Sequence, residues 1–441
     1  METIKIKPVR SLRGEIGVPG DKSISHRSVM VASIAEGRSI IKGFLSADDT
    51  QRTVKAFKSM GIKVEGFGTD KLIIEGKSLG GLKEPEDVLD LGNSGTSIRL
   101  LSGLLAGQRF FSVLTGDASL RKRPMSRVTA PLRQMGAEIN GRDDGGFAPL
   151  AIKGRTLKPI EYESPVPSAQ VKSSILLAGL YAEGETKVKE PGKSRDHTER
   201  MLKKFGAEIG EFNLSVSIKG RPILKAQEVE VPGDFSAAAF FLVAGVLVPD
   251  SEVYLKNVGI NPTRTGLLDI LKRMGVEVYL DNRREVGVEP VADIHVRTGR
   301  PKGIKISGEE VLRAIDELPI LCIAASLAEG ETVIREAKEL RVKETDRISA
   351  MAEELRKMGV EIEEFPDGLM IKGRERLKGA VCNSHSDHRV AMAIAIAGLV
   401  ADGETIIQDT SWISTSFPGF MEILDGLRHR GIKESKVQGL K

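Results

Sequence analysis

The stretch "LKKFGAEIGE", at residues 202–211, contains the pattern that decides the fold. Basic and apolar residues lead to a glycine, and alternating residues follow it. A glycine after a helix ending in lysine is typical of a C-terminal cap, and the alternation predicts a strand. The phrase appears in six copies, roughly 70 to 85 residues apart, whose glycines are Gly61, Gly136, Gly206, Gly275, Gly359 and Gly431.

A second phrase lies between these copies and also predicts a helix, a tight turn and a strand. It reads "LYAEGETKVKE" at residues 180–190, and its other copies are "SIAEGRSIIKG", "LLAGQRFFSV", "VLVPDSEVYLK", "SLAEGETVIRE" and "LVADGETIIQD". Two interleaved phrases in six copies predict an α/β protein of six β-α-β-α-β-β units. Six such units are more than a single doubly wound sheet holds.

The tetrapeptide Val-Pro-Gly-Asp occurs twice, at residues 18–21 and 231–234, where the first and fourth units begin. This predicts two similar halves of three units each, joined by a two-stranded hinge near Pro19 and Pro232. One domain is discontinuous, with residues 1–20 and 232–441, and the other has residues 21–231. The first copy continues with charged residues and the second with apolar ones, so we expect the first to face a ligand and the second to bury its helix.

Composition excludes several classes of protein. A net charge of +4 and an aromatic content of 4% do not favour nucleic-acid binding. Cys322 and Cys382 lack metal-ligand spacing and are expected to be buried free thiols. No apolar run approaches the ~18 residues of a membrane span, and no signal peptide is evident. The pattern predicts a soluble, cytoplasmic protein with a solvated tail at residues 430–441.

The predicted starts of the first helices of the six units carry polar residues. These starts are Asp21-Lys22-Ser23, Gly92-Asn93-Ser94-Gly95-Thr96, Ser168-Ala169-Gln170, Asp234-Phe235-Ser236, Asp316-Glu317 and Ser386-Asp387-His388-Arg389. Helix capping explains most of the aspartates, asparagines and serines. It does not explain Lys22, Arg27 or Arg389, because a cation in the first turn opposes the helix dipole. Helix N-termini with added cations predict a site for phosphates or carboxylates.

The second helices repeat this theme. Arg121, Lys122 and Arg123 precede Pro124, which we interpret as the first helical residue. Arg195 lies at another predicted start. Lys343 and Arg347 are four apart beside Glu344, so on a helix they share one face. Each group alone is typical of a solvated charged face, but as a set at equivalent repeat positions they favour one anion-binding site.

The motifs "GDKSISHR", "LGNSGTSIRL", "RKRPM", "PSAQVKSS", "KETDR" and "SDHRVAM" resemble those of the EPSP synthase (3-phosphoshikimate 1-carboxyvinyltransferase) family over nearly the whole chain. The resemblance implies two inside-out α/β domains with the active site in the cleft between them. It also implies transfer of the enolpyruvyl group of phosphoenolpyruvate to the 5-hydroxyl of shikimate 3-phosphate, with release of phosphate, in the pathway to chorismate and aromatic amino acids. It implies no metal, no organic cofactor, a monomer and inhibition by glyphosate.

The resemblance also assigns roles to residues. Shikimate 3-phosphate is expected to contact Lys22, Ser23, Arg27, Ser168, Ala169, Gln170, Arg195, Asp316 and Lys343. Phosphoenolpyruvate is expected to contact Lys22, Gly95, Arg123, Gln170, Arg347 and Arg389. Lys22, Asp316 and Glu344 are the candidate catalytic residues, and the sequence leaves open which of them performs each proton transfer. Some family members carry a lysine where this chain has Thr415, so that phosphoenolpyruvate contact is in question here.

Two other functions are alternatives. UDP-N-acetylglucosamine enolpyruvyl transferase is similar in fold, but that family carries a reactive cysteine in the loop that reads "TGDASLRKRPM" here, and this loop has none. A non-catalytic anion-binding scaffold needs the arginines but not Asp316 beside Glu344 and Lys22.

Overall fold

The computed structural model describes residues 2–429. The chain folds into two compact units. The middle unit comprises Pro19–Pro232 and Glu285–Glu289, and the terminal unit comprises the described parts of Met1–Val18, Gly233–Arg284 and Pro290–Lys441. The chain passes between the units at Val18–Pro19 and Pro232–Gly233, inside the two Val-Pro-Gly-Asp copies.

Three four-stranded sheets form the middle unit, and each has the strand order of one repeat. Its strands are β3 (Glu36–Lys42), β4 (Lys63–Glu65), β5 (Lys71–Lys77), β6 (Leu89–Asp90), β7 (Phe111–Thr115), β8 (Glu138–Gly141), β9 (Phe147–Lys153), β10 (Glu161–Glu163), β11 (Glu185–Lys189), β12 (Ile209–Phe212), β13 (Ser215–Lys219) and β14 (Glu228–Glu230). Its helices are α1 (Lys22–Ser33), α2 (Asp48–Ser59), α3 (Gly95–Ala106), α4 (Ser126–Gln134), α5 (Arg142–Gly145), α6 (Ala169–Gly179) and α7 (His197–Lys204), with a 3-10 turn at Leu120–Lys122.

The terminal unit repeats this plan. Its strands are β1 (Thr3–Ile6), β2 (Arg13–Gly17), β15 (Glu252–Gly259), β16 (Val278–Val286), β17 (Glu289–Arg297), β18 (Lys305–Ile306), β19 (Glu331–Ile334), β20 (Glu361–Phe365), β21 (Gly368–Lys372), β22 (Leu377–Lys378), β23 (Val381–Asn383), β24 (Ala401–Asp402) and β25 (Thr405–Gln408). Its helices are α8 (Phe235–Leu247), α9 (Gly266–Arg273), α10 (Glu309–Ala314), α11 (Leu318–Ser326), α12 (Arg347–Lys357), α13 (His388–Gly398) and α14 (Phe420–His429), with 3-10 turns at Lys338–Val342 and Thr410–Thr415.

Each repeat builds its sheet in the same way. In the third repeat, β10 pairs parallel with β11, and β13 pairs antiparallel with both β11 and β12. The sheets β14-β3-β5-β4, β6-β7-β9-β8 and β18-β19-β21-β20 follow the same order. In the sixth repeat, β1 from the start of the chain pairs antiparallel with β25, which pairs parallel with β23. The predicted β-α-β-α-β-β unit is therefore confirmed.

The first helices of the repeats lie inside and the sheets outside. In the middle unit α1, α3 and α6 are buried along nearly their whole length, and in the terminal unit α8, α11 and α13 are. Each unit has its own apolar core around these helices. A helix that is apolar on all sides must lie inside its unit, so the Ala- and Gly-rich runs explain this inside-out arrangement.

The glycines of the repeated phrase end helices in the way the pattern predicts. Gly61, Gly136, Gly206, Gly275 and Gly359 have φ between 82° and 102°. In the third repeat the Gly206 N–H donates to the Lys203 carbonyl, and the Ala207 N–H to the Leu202 carbonyl. This pair of bonds closes the helix end and requires a left-handed residue, which glycine adopts without strain. Gly431, like the predicted tail, lies outside the described residues.

Candidate active site

The starts of the first helices are capped as their residue types predict. Asp21, Ser94, Ser168, Asp234 and Asp387 each accept a hydrogen bond from a backbone N–H in the first turn. The first helix of the fifth unit, α11, differs, because its N-cap Glu317 makes no such bond through its side chain and Pro319 follows in the first turn. Asp316 lies one residue before that cap, so its carboxylate is available for other contacts.

In the terminal unit the side chains around Arg347 form one cluster, which we call the Arg347 cluster. Arg347 is 1% exposed and is the first residue of α12. Its Nε donates to Asp387 Oδ2 at 2.8 Å, and its Nη2 to Glu344 Oε2 at 2.6 Å. Its Nη1 lies 3.5 Å from Asp316 Oδ1. One guanidinium therefore holds both carboxylates that the sequence assigned to proton transfer.

Arg389 and Lys343 complete the Arg347 cluster around Asp316. Arg389 donates from Nη1 to the Asp316 carbonyl at 2.9 Å, and its Nη2 is 3.9 Å from Asp316 Oδ2. The Lys343 ammonium is 3.8 Å from Asp316 Oδ1. The structure thus brings together Asp316, Lys343, Glu344, Arg347 and Arg389, which are five of the residues that the sequence predicted for the site.

The electrostatic environments of the two cations differ. Burial alone would lower the pKa of Arg347, but Asp387, Glu344 and Asp316 together raise the pKa above its ordinary value. Desolvation lowers the pKa of Lys343 below its ordinary value, and the charge of Asp316 opposes this. The Lys343 side chain is nonetheless 27% exposed to solvent. The surrounding carboxylates therefore favour the charged form of Arg347, while burial disfavours the charged form of Lys343.

Lys343 and Arg347 do not share a helix face, and this prediction was wrong. The 3-10 turn Lys338–Val342 ends before Lys343, which is extended, and α12 begins only at Arg347 with Asp346 as its cap. The Asp346 carboxylate accepts hydrogen bonds from the Ile348 and Ser349 N–H groups, which ends any helix on its N-terminal side. The two cations meet because both approach Asp316, not because of helical spacing.

In the middle unit a second cluster, the Arg123 cluster, surrounds the start of α3. Arg123 is 6% exposed and donates from Nη2 to Asn93 Oδ1. Gln170 donates to Thr96 Oγ1 at 3.0 Å and accepts from Arg99 Nη1 at 2.8 Å. A Cβ on Gly95 would lie 2.8 Å from Arg99 Nη1 and 3.0 Å from Arg123 Nη1. Gly95 is therefore where two guanidinium groups approach the helix backbone.

Pro124 is not the first residue of a helix, so this interpretation was also wrong. Residues Leu120–Lys122 form a 3-10 turn, and α4 begins at Ser126. Only Arg123 of the three neighbouring cations is buried, while Arg121 and Lys122 are exposed. The turn is stabilised by Asp117, whose carboxylate accepts from the Leu120 N–H at 2.7 Å. Of Arg121, Lys122 and Arg123, the structure places only Arg123 in the Arg123 cluster.

Two cations of α1 have partners within the middle unit. Lys22 pairs with Asp49 Oδ2 at 3.2 Å, which offsets the cost of a cation in the first turn. Arg27 is 4% exposed and donates to Thr198 Oγ1 at 2.6 Å, to Ser173 Oγ at 3.0 Å and to the Ser23 carbonyl at 3.0 Å. Burial, with a smaller contribution from the charge of Arg195, lowers the pKa of Arg27 to about 10, against the opposing effect of its acidic neighbours.

The helices that follow the two Val-Pro-Gly-Asp copies, α1 and α8, differ less in burial than expected. α8 is buried, as predicted, but α1 is also buried from Ile24 to Ser33. The difference is that α1 carries its own buried arginine. The start of α8 is instead contacted by Arg264, which is 3% exposed and donates to Ser236 Oγ at 2.6 Å.

The third cluster, the Lys172 cluster, was not predicted. Lys172, Glu190 and Glu199 are 2%, 3% and 1% exposed, and the Lys172 ammonium lies 2.9 Å from Glu190 and 2.7 Å from Glu199. The Glu190 carboxylate accepts from the Ser168 N–H at 3.1 Å and from the Ser194 hydroxyl at 2.8 Å. It therefore fixes both the start of α6, with Ser168 and Ala169, and the segment that leads to Arg195.

The partners that sequence reasoning missed are mainly carboxylates. The sequence predicted cations that await an anionic ligand, but Asp49 already pairs with Lys22 and Asp387 with Arg347. Glu190 and Glu199 hold Lys172, a cation that the sequence had not assigned to the site. Asp387 was identified only as a cap. Its place in "SDHR", directly before His388 and Arg389, was the available signal.

Thr415, where the resemblance left a phosphoenolpyruvate contact in question, makes a local hydrogen bond. It ends the 3-10 turn Thr410–Thr415, and its hydroxyl donates to the Trp412 carbonyl at 2.6 Å. A side chain bound to its own turn is a local stabiliser of that turn.

These features define a class of protein. Within residues 2–429, repeated β-α-β-α-β-β units carry several buried cations near helix starts, and carboxylates lie beside them. The class is an α/β enzyme that acts on phosphate- and carboxylate-bearing small molecules.

Comparison with known proteins identifies the family. The family model described as EPSP synthase (3-phosphoshikimate 1-carboxyvinyltransferase) matches residues 6–424. A 3-phosphoshikimate 1-carboxyvinyltransferase of Geotalea uraniireducens is 59% identical over 96% of this chain and 99% of its own. One from Citrifermentans bemidjiense is 56% identical over 98% of this chain and 100% of its own. A solved structure of EPSP synthase from Acinetobacter baumannii matches 97% of this chain and 98% of its own, with a TM-score of 0.87 and 46% identity.

The chain belongs to the EPSP synthase family. The resemblance, the enzyme class and the inside-out α/β fold predicted from the sequence are therefore confirmed. Between residues 2 and 429, no helix combines the length and the apolar character that a membrane crossing requires.

Proposed function

We propose that this chain transfers the enolpyruvyl group of phosphoenolpyruvate to the 5-hydroxyl of shikimate 3-phosphate and releases inorganic phosphate, in the shikimate pathway to chorismate and the aromatic amino acids. The observation that carries the proposal is the family match over residues 6–424, together with relatives of this activity that are 55–59% identical over nearly the full chain. The charged clusters supply what this reaction needs.

Phosphoenolpyruvate carries a phosphate and a carboxylate, and both suit the planar fork of arginine. We assign its binding to Lys22, Gly95, Arg123, Gln170, Arg347 and Arg389. The contacts around Gly95 support this, because a residue without a side chain leaves space beside two guanidinium groups. Buried arginines bind anions more strongly than exposed ones, since water screens the charges less.

Shikimate 3-phosphate brings a second phosphate and carboxylate. We assign its binding to Lys22, Ser23, Arg27, Ser168, Ala169, Gln170, Arg195, Asp316 and Lys343. Support comes from the Lys172 cluster, in which Glu190 accepts from the Ser168 N–H and from the hydroxyl of Ser194, the residue before Arg195. A preformed arrangement of this kind binds an anion without first paying to order its own side chains.

The chemistry requires two proton transfers. A proton added to the methylene carbon of phosphoenolpyruvate makes the adjacent carbon electrophilic, and the 5-hydroxyl attacks it while a base takes the hydroxyl proton. Loss of phosphate by C–O cleavage and of one methyl proton then restores the double bond. Lys22, Asp316 and Glu344 are the groups we assign to these transfers. Asp316 and Glu344 share Arg347 but differ in their other neighbours, so the two carboxylates can take different roles.

The reaction as proposed needs no metal ion or organic cofactor, because charge stabilisation comes from arginine and lysine. We further propose that the chain acts as a cytoplasmic monomer. We also propose that glyphosate, an analogue of phosphoenolpyruvate, competes with phosphoenolpyruvate for binding.

The test is phosphate release from phosphoenolpyruvate in metal-free buffer, with no acceptor, with shikimate 3-phosphate, or with UDP-N-acetylglucosamine. The proposal predicts release only with shikimate 3-phosphate. Release only with UDP-N-acetylglucosamine would support the alternative transferase, and no release in any arm would leave an anion-binding scaffold. Glu344→Gln should lower kcat by about 100-fold or more, as expected for loss of a general acid or base. Glu309→Gln, an exposed carboxylate in the same unit, is its control.

A further inference from the structure

The loop at residues 383–387, directly before α13, has an unusual backbone. His385 and Ser386 both have left-handed φ values, of 53° and 58°. Residues other than glycine rarely adopt this conformation, and two in succession persist only where neighbouring contacts hold them. Asp387, the next residue, is both the cap of α13 and the partner of Arg347. The loop therefore sets the position of part of the Arg347 cluster.

Glu354 holds one side of this loop. It lies on α12, is fully buried, and accepts a hydrogen bond at each carboxylate oxygen. His385 Nε2 is 2.6 Å from Oε1, and the Asn383 N–H donates to Oε2 at 3.1 Å. The other side is held by Asp409, whose carboxylate accepts from the Ser386 hydroxyl at 3.0 Å.

Glu354 is seven residues after Arg347 on α12, which is about two helical turns. Residues at this spacing lie on the same helix face. Two contacts therefore join α12 to the loop, with Arg347 bound to Asp387 at one end and Glu354 bound to His385 at the other. Movement of His385 would shift Asp387 relative to Arg347 and would turn the start of α13, where Arg389 lies.

Charged groups around His385 come from α12, and a buried thiol comes from the adjoining strand β23. The Lys357 ammonium is 2.8 Å from Glu354 and 2.9 Å from Glu353, and Glu353 is 4.0 Å from His385 Nε2. The hydrogen bond to Glu354 raises the pKa of His385, against the effect of burial. The Cys382 thiol also lies beside Glu354, and burial followed by that carboxylate raises its pKa to about 12. Lys357 already supplies a cation between the two glutamates, so we do not assign a metal to them.

We propose that Glu354 and His385 are positioning residues for phosphoenolpyruvate: their contact holds the strained loop so that Asp387 and α13 orient Arg347 and Arg389. This proposal rests on the proposed function, which assigns those two arginines to phosphoenolpyruvate. Neither Glu354 nor His385 needs to touch a substrate.

The test compares Glu354→Gln with Glu353→Gln. The second variant removes the same charge from the preceding position of the same helix, but from a side chain that is 55% exposed. We expect Glu354→Gln to raise the KM for phosphoenolpyruvate about tenfold, the effect of losing one charged hydrogen bond. The KM for shikimate 3-phosphate should change much less. Glu353→Gln, whose carboxylate is 4.0 Å from His385 Nε2 and exposed, should raise the KM for phosphoenolpyruvate much less than Glu354→Gln does.

A second variant separates positioning from folding. His385→Asn keeps a residue that tolerates the left-handed backbone but loses the contact with Glu354, so it should raise the KM for phosphoenolpyruvate while the protein stays folded. The wild-type KM for phosphoenolpyruvate should rise as the pH increases through the raised pKa of His385, because the charged partner of Glu354 is then lost. This rise should be absent in Glu354→Gln.

Two results would overturn the inference. One is an equal KM for phosphoenolpyruvate in Glu354→Gln, His385→Asn and the wild type. The other is a lower melting temperature in these variants with no change in KM, which would indicate a structural role alone. Failure of the proposed function would look different, since the wild type itself would then release no phosphate.

Discussion

Gly95→Ala is the substitution for which the structure makes the sharpest prediction. The added Cβ would lie 2.8 Å from Arg99 Nη1 and 3.0 Å from Arg123 Nη1. An ordinary van der Waals contact is about 3.5 Å or longer, so both guanidinium groups must move by roughly half an ångström or more. Both are the ends of flexible side chains. We therefore expect the protein to fold and the arginines to shift.

The magnitude follows from the hydrogen bonds to phosphoenolpyruvate that we propose for Arg123. One hydrogen bond to a charged group contributes about 1.5–3 kcal/mol, which corresponds to roughly 10- to 100-fold in affinity. Gly95→Ala should therefore raise the inhibition constant of glyphosate and the KM for phosphoenolpyruvate by about that factor, through loss or weakening of one such bond. Stability should not fall, because alanine favours the first turn of α3 more than glycine does.

The assay is steady-state phosphate release with each substrate varied in turn and with glyphosate as inhibitor. Thermal unfolding of the same samples serves as the control for folding. The reasoning predicts a large change for phosphoenolpyruvate and glyphosate and a small one for shikimate 3-phosphate. Equal changes for both substrates, or none for either, would refute it.

Three further predictions concern buried charges. Lys172→Met leaves Glu190 and Glu199 buried without their cation and should lower the free energy of unfolding, measured with urea, by about 3–5 kcal/mol. Substitution of an exposed lysine, Lys187→Met, should lower it little. Similar losses in the two variants would count against a stabilising role of the Lys172 cluster. Arg347→Lys, which cannot form the same fork, should lower kcat/KM for phosphoenolpyruvate about 100-fold, and the exposed Arg356→Lys on the same helix should not. Burial, then Lys22 and Arg27, hold the pKa of His26 well below 6.5, so unfolding free energy should fall as the pH drops below that value. In His26→Gln the unfolding free energy should fall less steeply with decreasing pH, by up to about 1.4 kcal/mol per pH unit. Equal slopes in the variant and the wild type would contradict the assignment of this pH dependence to His26.

The repeat architecture was predictable because its signals are local. A glycine at a helix end and an aspartate or serine at a helix start act on backbone groups within a few residues. Gly206 and Asp234 therefore took the predicted roles. Lys343 did not, because Asp346 caps α12 and ends the helical pattern that the spacing suggested.

The partners of the buried cations depend on contacts between distant parts of the chain. Asp49 is 27 residues from Lys22, and Asp387 is 40 residues from Arg347. The repeat units bring these pairs together, and no spacing rule within one helix or strand predicts them. The types of residue at the site were therefore readable from the sequence, while their pairing required the structure.

The most direct test of the central claim uses phosphoenolpyruvate labelled with heavy oxygen at the atom that bridges carbon and phosphorus. The wild-type protein is supplied with this substrate and shikimate 3-phosphate, and mass spectrometry follows the label. The account predicts C–O cleavage, so the label should leave with inorganic phosphate and the unlabelled enolpyruvyl group should appear on shikimate 3-phosphate. Label retained in a pyruvate product, or phosphate released without shikimate 3-phosphate, would contradict it.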